Sequence, residues 1–158
     1  MLKVLVIFVA TFWGSMTLAQ AGVSLNGLSI DPTAPIETSA DRLSIDRATQ
    51  SSVFEGNVII GQGDFRLAAG RVEMFSSANG VNRIRATGGV IFTTATDAIE
   101  AQSADYSLAD GSLTLSGRVL LSQGQSAIMG DRVRINLQTG SAVFSGNVRT
   151  ILQTGTDQ

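Results

Sequence analysis

Val53-Phe-Glu-Gly-Asn-Val58, Arg85-Ala-Thr-Gly-Gly-Val90, Thr114-Leu-Ser-Gly-Arg-Val119 and Val143-Phe-Ser-Gly-Asn-Val148 are four versions of one pattern. The shared glycines, Gly56, Gly88, Gly117 and Gly146, are spaced by 32, 29 and 29 residues. Apolar residues flank each glycine at alternate positions: Phe54, Val58 and Ile60; Ile84, Ala86, Val90 and Phe92; Leu113, Leu115, Val119 and Leu121. Alternation of this kind, broken by turn residues, marks half-buried antiparallel strands. Asn79-Gly80, Asp110-Gly111 and Thr139-Gly140 supply turn chemistry, because Asn and Gly accept positive φ cheaply. The recurring glycines mark points where a strand bends or two backbones approach closely.

A second pattern runs between the first: Ser39-Ala-Asp-Arg-Leu43, Ala68-Ala-Gly-Arg-Val72, Ser103-Ala-Asp-Tyr106 and Met129-Gly-Asp-Arg-Val133. It reads as a tight corner, with Asp41, Asp105 and Asp131 at one recurring position. A unit of about 30 residues cannot bury its apolar face alone, whereas stacked units make a continuous elongated sheet. The expected fold is therefore all-β. The common parity places Phe54, Val58, Ile60, Leu67, Ala86, Val90, Phe92, Ile99, Leu115, Val119, Leu121, Ile128, Phe144 and Val148 on one inner face, and Leu152 continues it.

Outside that repeat, residues 1–21 read as a secretory signal peptide. Lys3 is followed by an apolar run to Trp13 and by the small-x-small signal Ala19-Gln20-Ala21. The rival reading is an uncleaved anchor, for which the apolar run is short of the ~20 residues of a spanning helix. Residues 22–35 form a linker with both prolines, Pro32 and Pro35. Residues 36–152 form the β-domain and 153–158 a C-terminal tail.

Composition narrows the chemistry. The 158 residues contain neither cysteine nor histidine. That removes thiolate and Ser-His-Asp chemistry and most zinc sites. A net charge of −2 provides no basic face for nucleic acid. The carboxylates fall where turns are expected, as at Asp46, Asp64, Asp97 and Asp110, so an enzyme is not expected, nor a cofactor or metal. Most arginines are expected on the outer face. What remains is the apolar inner face, which the residues leave open between an ordinary core and a slot for an acyl chain. Small inner residues such as Ala86 and Thr150 leave room for a slot. The two sheet edges, Ile36 to Ile45 and Ala142 to Leu152, contain neither proline nor lysine, the usual guards of an exposed edge. They invite strand addition, which is head-to-tail because the two edges differ.

With Pro-Ile-Glu-Thr-Ser-Ala-Asp-Arg-Leu at 35–43, the four glycine motifs and Met-Gly-Asp-Arg-Val at 129–133, the chain resembles the LptA/OstA-like lipopolysaccharide-transport family over about residues 35–150. The resemblance implies a V-shaped β-jellyroll around a hydrophobic groove in the periplasm. It implies a carrier of lipopolysaccharide that holds lipid A acyl chains and bridges inner and outer membranes. The groove is then expected at Phe54, Val58, Ile60, Leu67, Val90, Phe92, Ile99, Leu115, Val119, Leu121 and Ile128. The interface edges are expected at Ile36, Leu43, Ile45, Phe144 and Val148. An LptC-like inner-membrane protein is implied at the N-terminal edge, an LptD-like outer-membrane protein at the C-terminal edge, and head-to-tail copies between them. The alternatives are a membrane-anchored LptC-like adaptor of the same complex and a purely structural β-repeat protein.

Overall fold

A computed structural model describes residues 34–152. The expected signal peptide, all but the last two residues of the linker and the C-terminal tail lie outside the described residues. The strands are β1 (Ile36–Ser39), β2 (Arg42–Asp46), β3 (Ser51–Gln62), β4 (Phe65–Ser77), β5 (Gly80–Thr93), β6 (Asp97–Ser107), β7 (Ser112–Gln123), β8 (Ser126–Asn136), β9 (Ser141–Ser145) and β10 (Arg149–Ile151). They form one antiparallel sheet in which chain neighbours pair in order. β1 and β2 both pair with β3, and β9 and β10 both pair with β8, so each edge position is filled by two short strands. This is the all-β, jellyroll-type folded sheet that the alternation and the family resemblance predict.

The sheet folds along one line. The β3–β4 register slips between Glu55 and Val58, β5–β6 between Thr87 and Val90, and β7–β8 between Ser116 and Val119. At each slip two consecutive residues take left-handed backbone: Gly56 (φ 77°) with Asn57 (47°), Gly88 (82°) with Gly89 (80°), and Gly117 (85°) with Arg118 (46°). Gly146 (73°) and Asn147 (47°) repeat the turn in the break between β9 and β10. An extra residue in one strand of a pair bends that strand and sharpens the local twist. Four such bulges in line crease the sheet, so the repeating glycines are its fold axis. At Gly88 the reason for glycine is twofold, because an added Cβ would also lie 3.1 Å from the Gly70 Cα.

Each bulge faces a single residue on the intervening strand. An added Cβ would run into Asp41 at Gly56, Gln102 at Gly117 and Asp131 at Gly146. The two outermost corners are built alike. Asp41 N–H donates to the Gly56 carbonyl at 2.9 Å, and Asn57 Nδ2 donates to Asp41 Oδ2 at 2.9 Å. Asp131 N–H donates to the Gly146 carbonyl at 2.8 Å, and Asn147 Nδ2 donates to Asp131 Oδ2 at 2.8 Å. One expectation needs correction here. Asp105 is not the counterpart of Asp41 and Asp131; Gln102 is. Asp105 lies three residues further along β6, on the outer face, bonded to Arg83 and Arg85.

Cross-strand partners share a face, and the inner face of the crease is apolar from β3 to β8. Beside the fold line run Val58, Ala69, Val90, Ala101 and Val119. On one flank come Ile60, Leu67, Phe92, Ile99, Leu121 and Ile128, and on the other Val72, Ala86, Ala104, Leu115 and Val133, all buried. Full burial of an aliphatic side chain contributes about 1.5–3 kcal/mol, so these rows hold the two flanks together. The inner face does not extend to both ends as expected. Val148 lies in the break after β9 and is 53% exposed, Phe144 is half-buried, and Leu152 is exposed beyond β10, because among the described residues no further strand covers that edge.

Candidate functional site: an apolar groove inside the crease

Away from the fold line the two flanks diverge and leave a groove of about 580 Å³, within the usual ~300–1,000 Å³ of small-molecule sites. It lies over β1 and β3 to β6 and ends against Leu113 and Leu137. Two alanines open it. In the row Val72, Ala86, Ala104, Leu115, Val133, the groove is lined where the side chains are Ala86 and Ala104 and not at the larger residues on either side. In the next row outward Met74, Ile84 and Tyr106 are half-buried and line the groove, whereas Ile135 at β8 is buried. The opposite wall carries Phe65 and Phe92, whose rings sit 5.8 Å apart at 42°, a tilted aromatic pair.

No charged side chain lines the groove among the described residues; Thr38, Gln62 and Tyr106 are its polar members. The ion pairs are on the outer face. Glu55 pairs with Arg42 at 3.5 Å and with Arg71, and Asp105 accepts from Arg83 Nη2 at 2.6 Å and Arg85 Nε at 3.3 Å. The Arg83 hydrogen bond, helped by the charges of both arginines, holds the Asp105 carboxyl below its usual range. The same bond raises Arg83. Such exposed pairs, screened by solvent, add little to stability and fasten neighbouring strands from outside. Among the described residues no group of His, Cys, Asp and Glu could hold a metal ion. Asp97, expected in a turn, instead opens β6 and is buried.

Of the eleven expected groove residues, the structure brings Phe54, Ile60, Leu67, Phe92 and Ile99 to the groove wall. Val58, Val90, Leu115, Val119, Leu121 and Ile128 are buried in the closed part of the crease and do not line it. Of the expected edge residues, Ile36, Leu43, Ile45 and Val148 are exposed, and Ile36 also lines the groove. Sequence reasoning missed Phe65, Met74, Tyr106 and Leu137, and it read the parity of Ile84 and Leu113 without assigning them to the groove. The signal is indirect: β4, β6 and β8 switch inner parity at the fold line, from Ala69 to Val72, Ala101 to Ala104 and Gly130 to Val133, with a glycine bulge on the neighbouring strand and no insertion of their own. Alternation followed across that switch reaches Met74 and Tyr106.

Comparison with known proteins follows this geometry. Residues 37–141 match the family described as LptA/(LptD N-terminal domain) LPS transport protein. An uncharacterized protein of Rhizobium meliloti (strain 1021), R00383, is 28% identical over 144 residues, covering 84% of this chain and 77% of that one. Among solved structures the chain is similar to LptH, the LptA-homologous periplasmic component of the lipopolysaccharide transport device of Pseudomonas aeruginosa. That likeness has a TM-score of 0.69 at 15% identity and covers 77% of this chain and 96% of LptH. It is a likeness of fold.

Proposed function

The chain belongs to the LptA/LptD N-terminal-domain family of LPS transport proteins, and on that premise we propose that it is a non-enzymatic periplasmic carrier. In this reading it holds the acyl chains of lipopolysaccharide between the flanks of the crease and bridges the two membranes. The observation that carries the reading is the uncharged, apolar groove of about 580 Å³ open along one side of the fold. A slot without charge or dense hydrogen-bonding groups suits hydrocarbon, each buried CH₂ contributing roughly 0.8 kcal/mol. The acyl chains lie against Phe54, Ile60, Leu67, Phe92 and Ile99. Val58, Val90, Leu115, Val119, Leu121 and Ile128 form the closed seam of the crease, which the acyl chains reach where the flanks part.

The edges supply the bridge. β1–β2, with exposed Ile36, Leu43 and Ile45, receives an LptC-like inner-membrane protein. β9–β10, with Phe144 and Val148, meets an LptD-like outer-membrane protein, and copies of the chain add head-to-tail between them. Each edge has unpaired backbone groups and exposed apolar side chains, which support strand addition. Residues 1–21 direct export and are removed, residues 22–35 link to the β-domain of 36–152, and 153–158 form its tail.

Photo-crosslinking in the native envelope tests this. Crosslinkers at Ile60 and Phe92 should label the glycolipid, and those at Ile59 and Ile91, exposed on the outer face, should not. Label at Leu121 would trace the slot past the closed seam. Equal label on both faces, or none, would overturn the groove assignment. Mass spectrometry of the same protein reads its N-terminus; an intact Met1 in the membrane fraction would favour the anchored adaptor instead.

A further inference from the structure

The first and last hairpins of the chain are two copies of one unit. Leu43-Ser-Ile-Asp46, a four-residue turn and Ser51-Ser-Val-Phe-Glu-Gly-Asn-Val58 correspond to Val133-Arg-Ile-Asn136, a four-residue turn and Ser141-Ala-Val-Phe-Ser-Gly-Asn-Val148. Their turns match atom for atom. Asp46 Oδ1 accepts from the Ala48 and Thr49 N–H groups, and Asn136 Oδ1 from Gln138 and Thr139. Thr49 bonds Ser51 as Thr139 bonds Ser141. The left-handed Gln50 (φ 51°) stands where Gly140 (φ 68°) stands. By the same correspondence Asp41 is Asp131, and β1–β2 is β8.

The two units differ in what lies beside them. β8 is covered on its far side by β7, with Leu115 opposite Val133, Leu113 opposite Ile135, and the Gly117–Arg118 corner opposite Asp131. Among the described residues no strand covers β1–β2 there. The uncovered slot is therefore a β7-shaped slot. In this chain the strand that repeats the β7 pattern with a free side is β9–β10, since Thr114-Leu-Ser-Gly-Arg-Val119 aligns with Val143-Phe-Ser-Gly-Asn-Val148.

Resting on the head-to-tail reading above, we infer that Asp41 sets the register in which a second copy adds. In that register Asp41 stands opposite the Gly146–Asn147 corner of the incoming β9–β10, as Asp131 stands opposite Gly117–Arg118 in the β7–β8 pairing. That register puts Phe144 opposite Leu43 of the next copy and Ala142 opposite Ile45, so every inner row continues across the junction and the exposed Leu43 and Ile45 become covered. It also brings Arg149 diagonal to Glu37. The charges agree: β1–β2 and its turn carry Glu37, Asp41 and Asp46 against Arg42 and Arg47, while residues 131–149 carry Arg132, Arg134 and Arg149 against Asp131. Asp41 has the chemistry to act as the key. Its Oδ2 is bonded to Asn57, and its Oδ1 has no partner among the described residues. Asn147 uses one amide hydrogen on Asp131 and has a second to donate. A strand shifted by two residues keeps the same face inward but sets a side-chain-bearing strand residue against Asp41 and leaves the corner glycine unused.

The absence of cysteine makes the test clean. The full chain, expressed with its leader and purified as exported, carries Leu43→Cys with Phe144→Cys, or Leu43→Cys with Ala142→Cys, and is oxidised at a concentration where copies associate. Directly opposed residues lie within disulfide reach and those two positions away do not. The expected result is an oligomer ladder forming at least ~10-fold faster for the 43/144 pair. Adding Asp41→Ala should bring the two rates to within about threefold while sedimentation still shows association, and Asp41→Asn, which keeps an acceptor, should restore the preference. A preference untouched by Asp41→Ala, or one for the 43/142 pair, overturns the register role and leaves head-to-tail addition standing. No self-association of the cysteine-free chain at any concentration overturns both, and a ladder only when an LptC-like domain is added assigns the slot to that partner instead of a second copy.

Discussion

Ile45 and Ile135 occupy the same place in two copies of one hairpin, yet Ile45 is 68% exposed and Ile135 is 1% exposed. Leu43 and Val133 repeat the contrast, at 51% and 0%. The local sequence, the turn and the corner are alike in both hairpins, so neither intrinsic propensity nor capping explains the difference. Only the neighbour does: β7 lies against β8 of the last hairpin, and among the described residues no strand lies against the far side of β2 in the first. The covered copy within the same chain shows the shape of strand that fits beside the uncovered one.

The sharpest way to break this comparison is to truncate both isoleucines. Ile135→Ala should cost about 2–5 kcal/mol, the usual range for opening a cavity in a closed core. Ile45→Ala should stay within about 0.5 kcal/mol in dilute protein, as exposed substitutions do. Urea unfolding at low concentration reads both. A large cost for Ile45→Ala under those conditions would mean that the first hairpin is already covered.

The corners extend the comparison along the fold line. The outer two are latched by Asp41–Asn57 and Asp131–Asn147; of the two between them, one sets Gly117 against Gln102 and the other is bare, built from Gly70, Gly88 and Gly89. Gly88→Ala combines left-handed strain with a Cβ 3.1 Å from the Gly70 backbone, for a loss of about 2–4 kcal/mol. Gly89→Ala has nearly the same φ and nothing within 4 Å, so it should lose only about 1–2 kcal/mol. Equal losses would remove the close approach as a reason for glycine and leave backbone conformation alone.

Between the two hairpins, Ala86 and Ala104 keep the groove open where Leu115 and Val133 close it. Ala86→Leu gives the middle of the crease the closed end's side chain. Retention of lipopolysaccharide should fall about tenfold, equivalent to ~1.4 kcal/mol, with stability changed by less than ~1.5 kcal/mol because the new atoms enter open space. Unchanged retention in a folded variant would move the acyl chains out of this groove.

Much of this was open to a reader of the sequence alone. The all-β class, the fold-line glycines and the inner rows of β3, β5 and β7 follow from spacing, because a Gly-x bulge preserves apparent parity from Phe54 to Val58 and from Leu115 to Val119. The rows of β4, β6 and β8 do not, because those strands change parity without any insertion to announce it. That is why Asp105 aligned falsely with Asp131, and why Met74 and Tyr106 escaped notice. Where the inner face opens into a groove is set by the volume of Ala86 and Ala104 against residues distant in sequence, and alternation is blind to volume. The edges could be read for a simpler reason: a strand without Pro or Lys is unguarded whatever lies opposite.

The smallest effect separates the two hairpin turns themselves. Asp46 and Asn136 cap the same turn with the same oxygen, but only Asp46 titrates. Its bonds from the Ala48 and Thr49 backbone N–H groups hold its carboxyl below the ordinary aspartate value, about 3.9 in an unfolded chain. A group depressed on folding contributes stability that is fully present above the unfolded value and is lost as pH falls through the folded one. Asp46 therefore gives the first hairpin a pH dependence below about pH 4 that the last hairpin lacks. Asp46→Asn, which makes the first turn a copy of the last, should leave stability at neutral pH nearly unchanged and flatten its decline between pH 4 and the folded value. Asn136→Asp should add a second decline of the same sign. Reversible unfolding measured from pH 7 down to pH 2.5 in both variants reads this. An Asp46→Asn variant that declines as steeply as the parent would show that the cap is not what lowers the carboxyl, and that the two turns, alike in geometry, differ in their electrostatics for some reason other than their own backbone.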